Sequence, residues 1–236
     1  MTQTLRAQRR DDVDDSRSNR RVVAVVLIVG VLVLGTWTVA FSSVLGAKRV
    51  IVHGTHLLSA AKVRAAAAVR YGAPLVRLNA HAVAGRVEAL PDVAAAQVRV
   101  SYPSTVVITI TERVAVGYLA AGGSAILVDV SGTQFRTVRA APKGLPRFEI
   151  PSEAGAVATG RAVATVAAAL TPALLTKLRV IKASDAASIT LQLTDGRTVR
   201  WGSADRSADK ARVLPALLAR PGTRFDVSDP DVVVAR

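Results

Sequence analysis

From Val22 to Ala47 the chain runs 26 residues without a charged side chain, opening VVAVVLIVGVLVLG. A helix rising 1.5 Å per residue needs roughly 20 apolar residues to cross about 30 Å of hydrocarbon, so this pattern predicts a transmembrane helix over 22–45. Trp37 and Phe41, toward its far end, fit an interfacial aromatic belt. The run exceeds the roughly 7 to 15 apolar residues of a secretory-signal core, so Leu45-Gly46-Ala47 reads as uncleaved chain. Residues 1–21 are polar and aperiodic, the pattern of a disordered tail.

Beyond the span the periods change. VIVHG (50–54) reads as a short strand closed by Gly54, and Ser59 then precedes AAKVRAAAAVR, an Ala-rich helix its hydroxyl can cap. Tyr71-Gly72-Ala73-Pro74 breaks that helix. Asn79 opens a second one through Leu90, with Val83, Val87 and Leu90 on one face and Pro91 as its stop. Ala94, Ala96, Val98 and Val100 then alternate with Ala95, Gln97, Arg99 and Ser101. Val106, Ile108 and Ile110 likewise alternate with Val107, Thr109 and Thr111. With Tyr102-Pro103-Ser104 as the turn, these two runs form a hairpin whose apolar face packs on the helices. The result is a βααββ domain over 48–113.

Residues 114–236 read as β-rich. VAVGYLAA, AILVDV and TQFRTV make a meander, and ITLQL, Asp195-Gly196 and RTVRW make a hairpin on a two-residue turn. Two helical intervals flank these strands. One runs from about Val157 to Leu178 and breaks near Pro172; the other runs from about Asp205 to Leu218, where Pro215 imposes a kink or an early end. A last strand covers Val232, Val233, Val234 and Ala235, at a sheet edge. The fold class is α+β: one N-terminal transmembrane helix, the βααββ domain, and a β-rich domain with flanking helices.

Charge refines this picture. The chain carries +14, with 25 Arg and 6 Lys, yet only 4% of it is aromatic. Few rings are available for base stacking, so nucleic acid is not the expected partner. Six Arg and four Asp in residues 1–21 keep that tail in the cytoplasm, because Lys and Arg fix orientation while acids count for little. Residues 48–236 are then exported, and their excess of +12 faces anionic lipid headgroups and wall polymers. Cysteine is absent, which removes disulfides, thiol nucleophiles and Cys-ligated metal sites.

Candidate chemistry is sparse. Ser59 and Lys62 match the S-x-x-K spacing of penicillin-recognising enzymes, which export on a similar anchor, but no S-D-N or K-T-G element follows. A Ser N-cap beside a solvated Lys is the simpler account. His53, His56 and His81 lack the companions a zinc site needs. Neither a P-loop nor a G-x-G-x-x-G fingerprint occurs. Asp195-Gly196-Arg197 and Trp201 read as a turn and a core residue, and Glu112-Arg113 as a salt bridge or interdomain hinge. No catalytic, cofactor-binding or metal-binding residue is assigned, and the chain is read as a non-enzyme.

The order of elements in 48–113 is similar to a POTRA domain. VIVHG after a membrane span, LPDVAAAQVRVSYPSTVVITITERVAVGYL and DVSGTQF resemble the bacterial FtsQ family of the actinobacterial type, called DivIB in many Gram-positive organisms. LTDGRTVRWG, Lys210 in SADKARVLPALL, and FDVSDPDVVVAR resemble that family's second, β-rich domain. The resemblance implies a cell-division scaffold at the septal membrane. Its partners would resemble FtsB and FtsL, with FtsW/FtsI-type synthases controlled indirectly. It also implies that Val232, Val233, Val234 and Ala235 lie on or beside an edge that takes up a partner strand. Two other classes remain open at this stage: a membrane-anchored exported serine hydrolase, and a POTRA chaperone or transport adaptor.

Overall fold

The computed structural model describes residues 23–35, 37, 45–151, 155–232 and 234–235. Residues 23–35 are helical (α1) and every side chain along them is exposed, Val31 at 69% and Leu34 at 64%. The expected tail, 1–21, and residues 22, 36 and 38–44 of the expected span lie outside the described residues. Among the described residues no helix is long and apolar enough to cross a membrane. By its contacts the chain divides into Met1–Ala89 with Ala95–Ile110, and Leu90–Ala94 with Thr111–Arg236.

In the first unit β1 (Arg49–His53) is followed by α2 (Ala60–Ala67), a 3-10 turn (Leu75–Arg77) and α3 (Ala80–Glu88). The hairpin of β2 (Val93–Ser101) and β3 (Thr105–Glu112) completes it. The strand order is β1-β3-β2, with β1 parallel to β3 in the register Val50↔Val106. Both sequence-predicted caps form: Ser59 Oγ accepts from Lys62 N–H at 3.3 Å and Asn79 Oδ1 from Ala82 N–H at 2.9 Å. Val63, Ala67, Val83 and Val87 of the helices and Val106, Ile108 and Ile110 of β3 are all buried. Gly54 has φ +82°, and a Cβ there would lie 2.0 Å from the carbonyl oxygen of Ile110, so only glycine lets the chain leave β1 so close to β3.

Two expectations shift here. The first helix stops at Ala67, capped by left-handed Ala68, short of Arg70. The alternation in β2 holds for Ala96, Val98 and Val100, whereas Ala94 is exposed. Ala94 sits in the five-residue segment grouped with the second unit.

Among the described residues the second unit contains a mixed nine-stranded sheet. It contains β4 (Ala115–Ala121), β5 (Ser124–Asp129), β6 (Gln134–Val138), β7 (Arg147–Glu149), β8 (Leu178–Ala183), β9 (Ile189–Leu193), β10 (Thr198–Gly202), β11 (Arg224–Asp226) and β12 (Val234–Ala235). The order is β12-β11-β10-β9-β8-β7-β4-β5-β6. The predicted meander is β4-β5-β6, antiparallel throughout. The pattern did not reveal β7, β8 or β11, each of which runs parallel to a neighbour. Parallel neighbours need a crossover: α4 (Ala156–Ala169) and α5 (Pro172–Leu175) join β7 to β8, α6 (Ser207–Leu218) joins β10 to β11, and β5 and β6 lie between β4 and β7 in the chain. The helices read as flanking are thus connections within the sheet. α4 touches α6, β4 and β8, and its Val163 and Val166 share a core with Phe148, Ile181, Trp201 and Leu214.

Two turns of phrase in the sequence also resolve differently. Leu193 N–H donates to the Arg197 carbonyl at 2.9 Å, which leaves three residues, Thr194 to Gly196, in the hairpin loop where two were expected. Gly196 at φ +88° provides the left-handed third position that such loops use. Pro215 neither ends α6 nor shortens it, because Leu214, Leu217 and Leu218 around it are buried and hold the last turn in place.

Candidate functional site

The terminal strand is short, and its place follows from the loop before it. Phe225 is buried while β11 pairs parallel to β10, and the chain then reverses through Asp226 to Asp231. Asp226 Oδ1 accepts from Ser228 N–H at 2.9 Å and from its hydroxyl at 2.6 Å, and Asp229 Oδ1 accepts from Asp231 N–H at 3.1 Å. These Asx turns give the loop's backbone donors partners outside the ladder. The chain returns as β12, antiparallel to β11, with Asp226 opposite Val234 and Phe225 opposite Ala235.

Of the four residues predicted for this edge, Val234 and Ala235 form β12. Val232 lies in a bend ahead of the strand, 67% exposed, because its N–H donates to the Asp229 carbonyl at 3.2 Å and finishes the turn. Val233 lies outside the described residues. β12 ends the strand order, so among the described residues its outer side pairs with no further strand.

A clamp that the sequence reading missed holds this return. Arg206 precedes α6 in the left-handed region, φ +53°. Its Nη1 and Nη2 donate to the Asp231 carboxylate at 2.8 and 3.0 Å, and Nη1 lies 3.9 Å from Asp229. The bond from Arg206 and its charge hold the Asp231 carboxyl below the usual carboxylate range. The only sequence signal was the Asp226, Asp229, Asp231 spacing, and nothing linear pointed from it to Arg206.

The floor under the clamp is built on Lys210, only 2% exposed. Its Nζ donates to the carbonyls of Trp201 at 3.0 Å and Ser203 at 2.9 Å, and burial pulls its pKa down. Trp201, fully buried, donates from Nε1 to Ser207 Oγ at 3.2 Å. This ties the end of β10 to the start of α6, where Arg206 stands. Trp201 is the core residue the sequence predicts.

The other candidates fall elsewhere. Ser59 is spent as the cap of α2, while His53, His56 and His81 are exposed. Among the described residues no three His, Cys, Asp or Glu side chains gather as metal ligands. Arg113 pairs with Asp129 at 2.5 Å and donates from Nε to the Pro91 carbonyl at 3.0 Å, so Arg113 of the Glu112-Arg113 pair does form a salt bridge.

Comparison with known proteins bears on the whole arrangement. Residues 45–113 match the model of the POTRA domain, FtsQ-type, and residues 117–232 that of Cell division protein FtsQ/DivIB, C-terminal. Cell division protein FtsQ of Mycobacterium tuberculosis is 37% identical over 211 residues, 89% of this chain and 67% of that one. FtsQ of Mycobacteroides abscessus is 33% identical over 90% of this chain and 68% of its own. FtsQ of Streptomyces collinus is 38% identical over 89% of this chain and 87% of its own. The major extracytoplasmic domain of DivIB from Geobacillus stearothermophilus, at 17% identity, covers 46% of this chain and 93% of its own with a TM-score of 0.37, too slight to carry an argument. With relatives this close over nearly its whole length, the chain belongs to the FtsQ/DivIB family of bacterial cell division proteins.

Proposed function

We propose that this protein is a non-catalytic, single-pass scaffold of the division septum, with residues 1–21 in the cytoplasm, 22–45 across the membrane and 48–236 outside. The uncharged run from Val22 to Ala47, the arginines before it and the exposed apolar surface of α1 support that topology. Membrane partners resembling FtsB and FtsL dock by laying a strand along β12, and FtsW/FtsI-type synthases are reached only through them.

The observation that carries this reading is the terminal position of β12 in the sheet order. An edge strand presents unpaired N–H and C=O groups, a liability alone and a template for an incoming strand. Two paired residues form a small ledge, so such a complex needs further contacts on the loop from Asp226 to Asp231.

A photo-crosslinking residue placed in turn at Val232, Val234 and Ala235 in growing cells tests the proposal. The expected result is capture of an FtsB-like or FtsL-like chain, and capture of neither at all three positions rejects the edge. Normal septation after depletion of the protein rejects the scaffold role itself.

A further inference from the structure

Charge is distributed unevenly between the two units. Residues 45–89 and 95–110 hold eight Lys and Arg but a single carboxylate, Glu88, and its Oε1 accepts from the Ala96 N–H at 2.9 Å. In the second unit, by contrast, carboxylates are tied to arginines, as in Arg113–Asp129, Arg136–Asp92 and Arg206–Asp231.

Three of the first unit's cations, Arg70, Arg77 and Arg86, line one groove of about 470 Å³ between α2, α3 and their connecting loop, and among the described residues no carboxylate lines it. Arg86 is held in place: Nε and Nη2 donate to the Ala67 carbonyl at 3.1 and 2.7 Å. Beside the other two arginines stand exposed apolar side chains, Tyr71 at 66% and Val76 at 52%. Basic and apolar groups side by side suit the boundary between lipid headgroups and acyl chains.

The loop's attachment fixes which surface it meets. Gly46 bridges Pro74, Ala47 N–H donates to the Ala73 carbonyl at 3.0 Å, and Gly72 N–H donates to the Ala47 carbonyl at 2.9 Å. Gly46 and Ala47 are the last residues of the uncharged run. If that run spans the membrane, they emerge at its outer face and carry the loop with them.

We propose that the loop from Arg70 to Arg77 is a second membrane contact, in which Arg70, Arg77 and Arg86 bind the phosphate groups of anionic phospholipid while Tyr71 and Val76 enter the interface. This inference rests on the membrane span proposed above. Its consequence is orientational: the first unit is held down on the bilayer by charge as well as by its tether.

The cysteine-free sequence permits a clean test in the full chain. Val76→Cys is labelled with an environment-sensitive fluorophore, and the chain is reconstituted in nanodiscs of phosphatidylcholine alone or with phosphatidylglycerol. A blue shift only in the anionic discs, lost on raising salt and lost in Arg70→Ser/Arg77→Ser, is the expected result. Identical emission in both discs from chain that co-elutes with them overturns the inference and leaves the span standing. Chain that does not co-elute with discs overturns the span and this inference together. An equal shift from inorganic phosphate without lipid shows a free-anion site and overturns the bilayer assignment.

Discussion

Arg206 grips both carboxylate oxygens of Asp231, at 2.8 and 3.0 Å, across 25 residues of sequence. The pair fastens the start of the last helix crossover to the loop that delivers β12. It is exposed, so its worth lies in fixing where the loop turns rather than in global stability. Arg206→Ala is expected to leave the unfolding midpoint nearly unchanged while speeding amide exchange at Val234 and Ala235 and lowering crosslinking yield there. Unchanged exchange would show that the Asx turns alone hold the loop.

The same pair sets an acid limit. Because the Asp231 carboxyl is held below its ordinary value of 3.8, the ion pair's contribution is complete above that value and disappears as pH falls through the lowered one. Protection of the β12 amides attributable to Asp231, read as the difference from Asp231→Asn, should therefore be flat from neutral pH to about 4 and decline below it.

Lys210 gives a dependence of the same sign in an alkaline window. Its pKa is lowered in the fold by burial, so between the lowered value and 10.5 the unfolded chain binds more protons than the native one. Stability owed to this residue therefore rises with pH across that window. Lys210→Met leaves the Trp201 and Ser203 carbonyls without their donor and should cost about 2–3 kcal/mol in urea unfolding at neutral pH. The gap between wild type and variant should widen toward pH 10.5.

Asp129 is the matching acid, 4% exposed. Burial would raise its pKa, but hydrogen bonds from the Ser131 hydroxyl, Arg113 and the Thr133 N–H outweigh burial and leave it lowered. Asp129→Ala strands Arg113 and should cost about 3–5 kcal/mol, read by thermal or chemical unfolding. The wild-type advantage should fall as pH drops through the lowered carboxyl value, below 3.8.

Gly54→Ala tests backbone rather than charge. The left-handed φ costs an alanine about 1–3 kcal/mol, and the 2.0 Å approach to the Ile110 oxygen adds displacement of β1 from β3. The first unit should lose amide protection across Val50–Val52 while β8 and β9 retain theirs. Equal loss in both would contradict the division of the chain into two units.

What local chemistry decides was legible in the sequence. Ser59 and Asn79 announced their caps, Val106, Ile108 and Ile110 their buried face, and Asp195-Gly196 its hairpin, because each depends on residues a few positions apart. Phe148 of β7, Ile181 of β8 and Phe225 of β11 were not legible as strand residues. β7 and β11 have three residues each, too few to show a period, and β8 buries Val180 and Ile181 side by side, which breaks the alternation; their parallel pairings are made across intervening elements whose ends carry no mark of each other. The pairing of β12 with β11 and the grip of Arg206 on Asp231 belong to this second kind. Both depend on α6 returning the chain beside β10, which is decided by burial of Trp201, Leu214 and Phe225 in one core and not by any motif at the end of the chain.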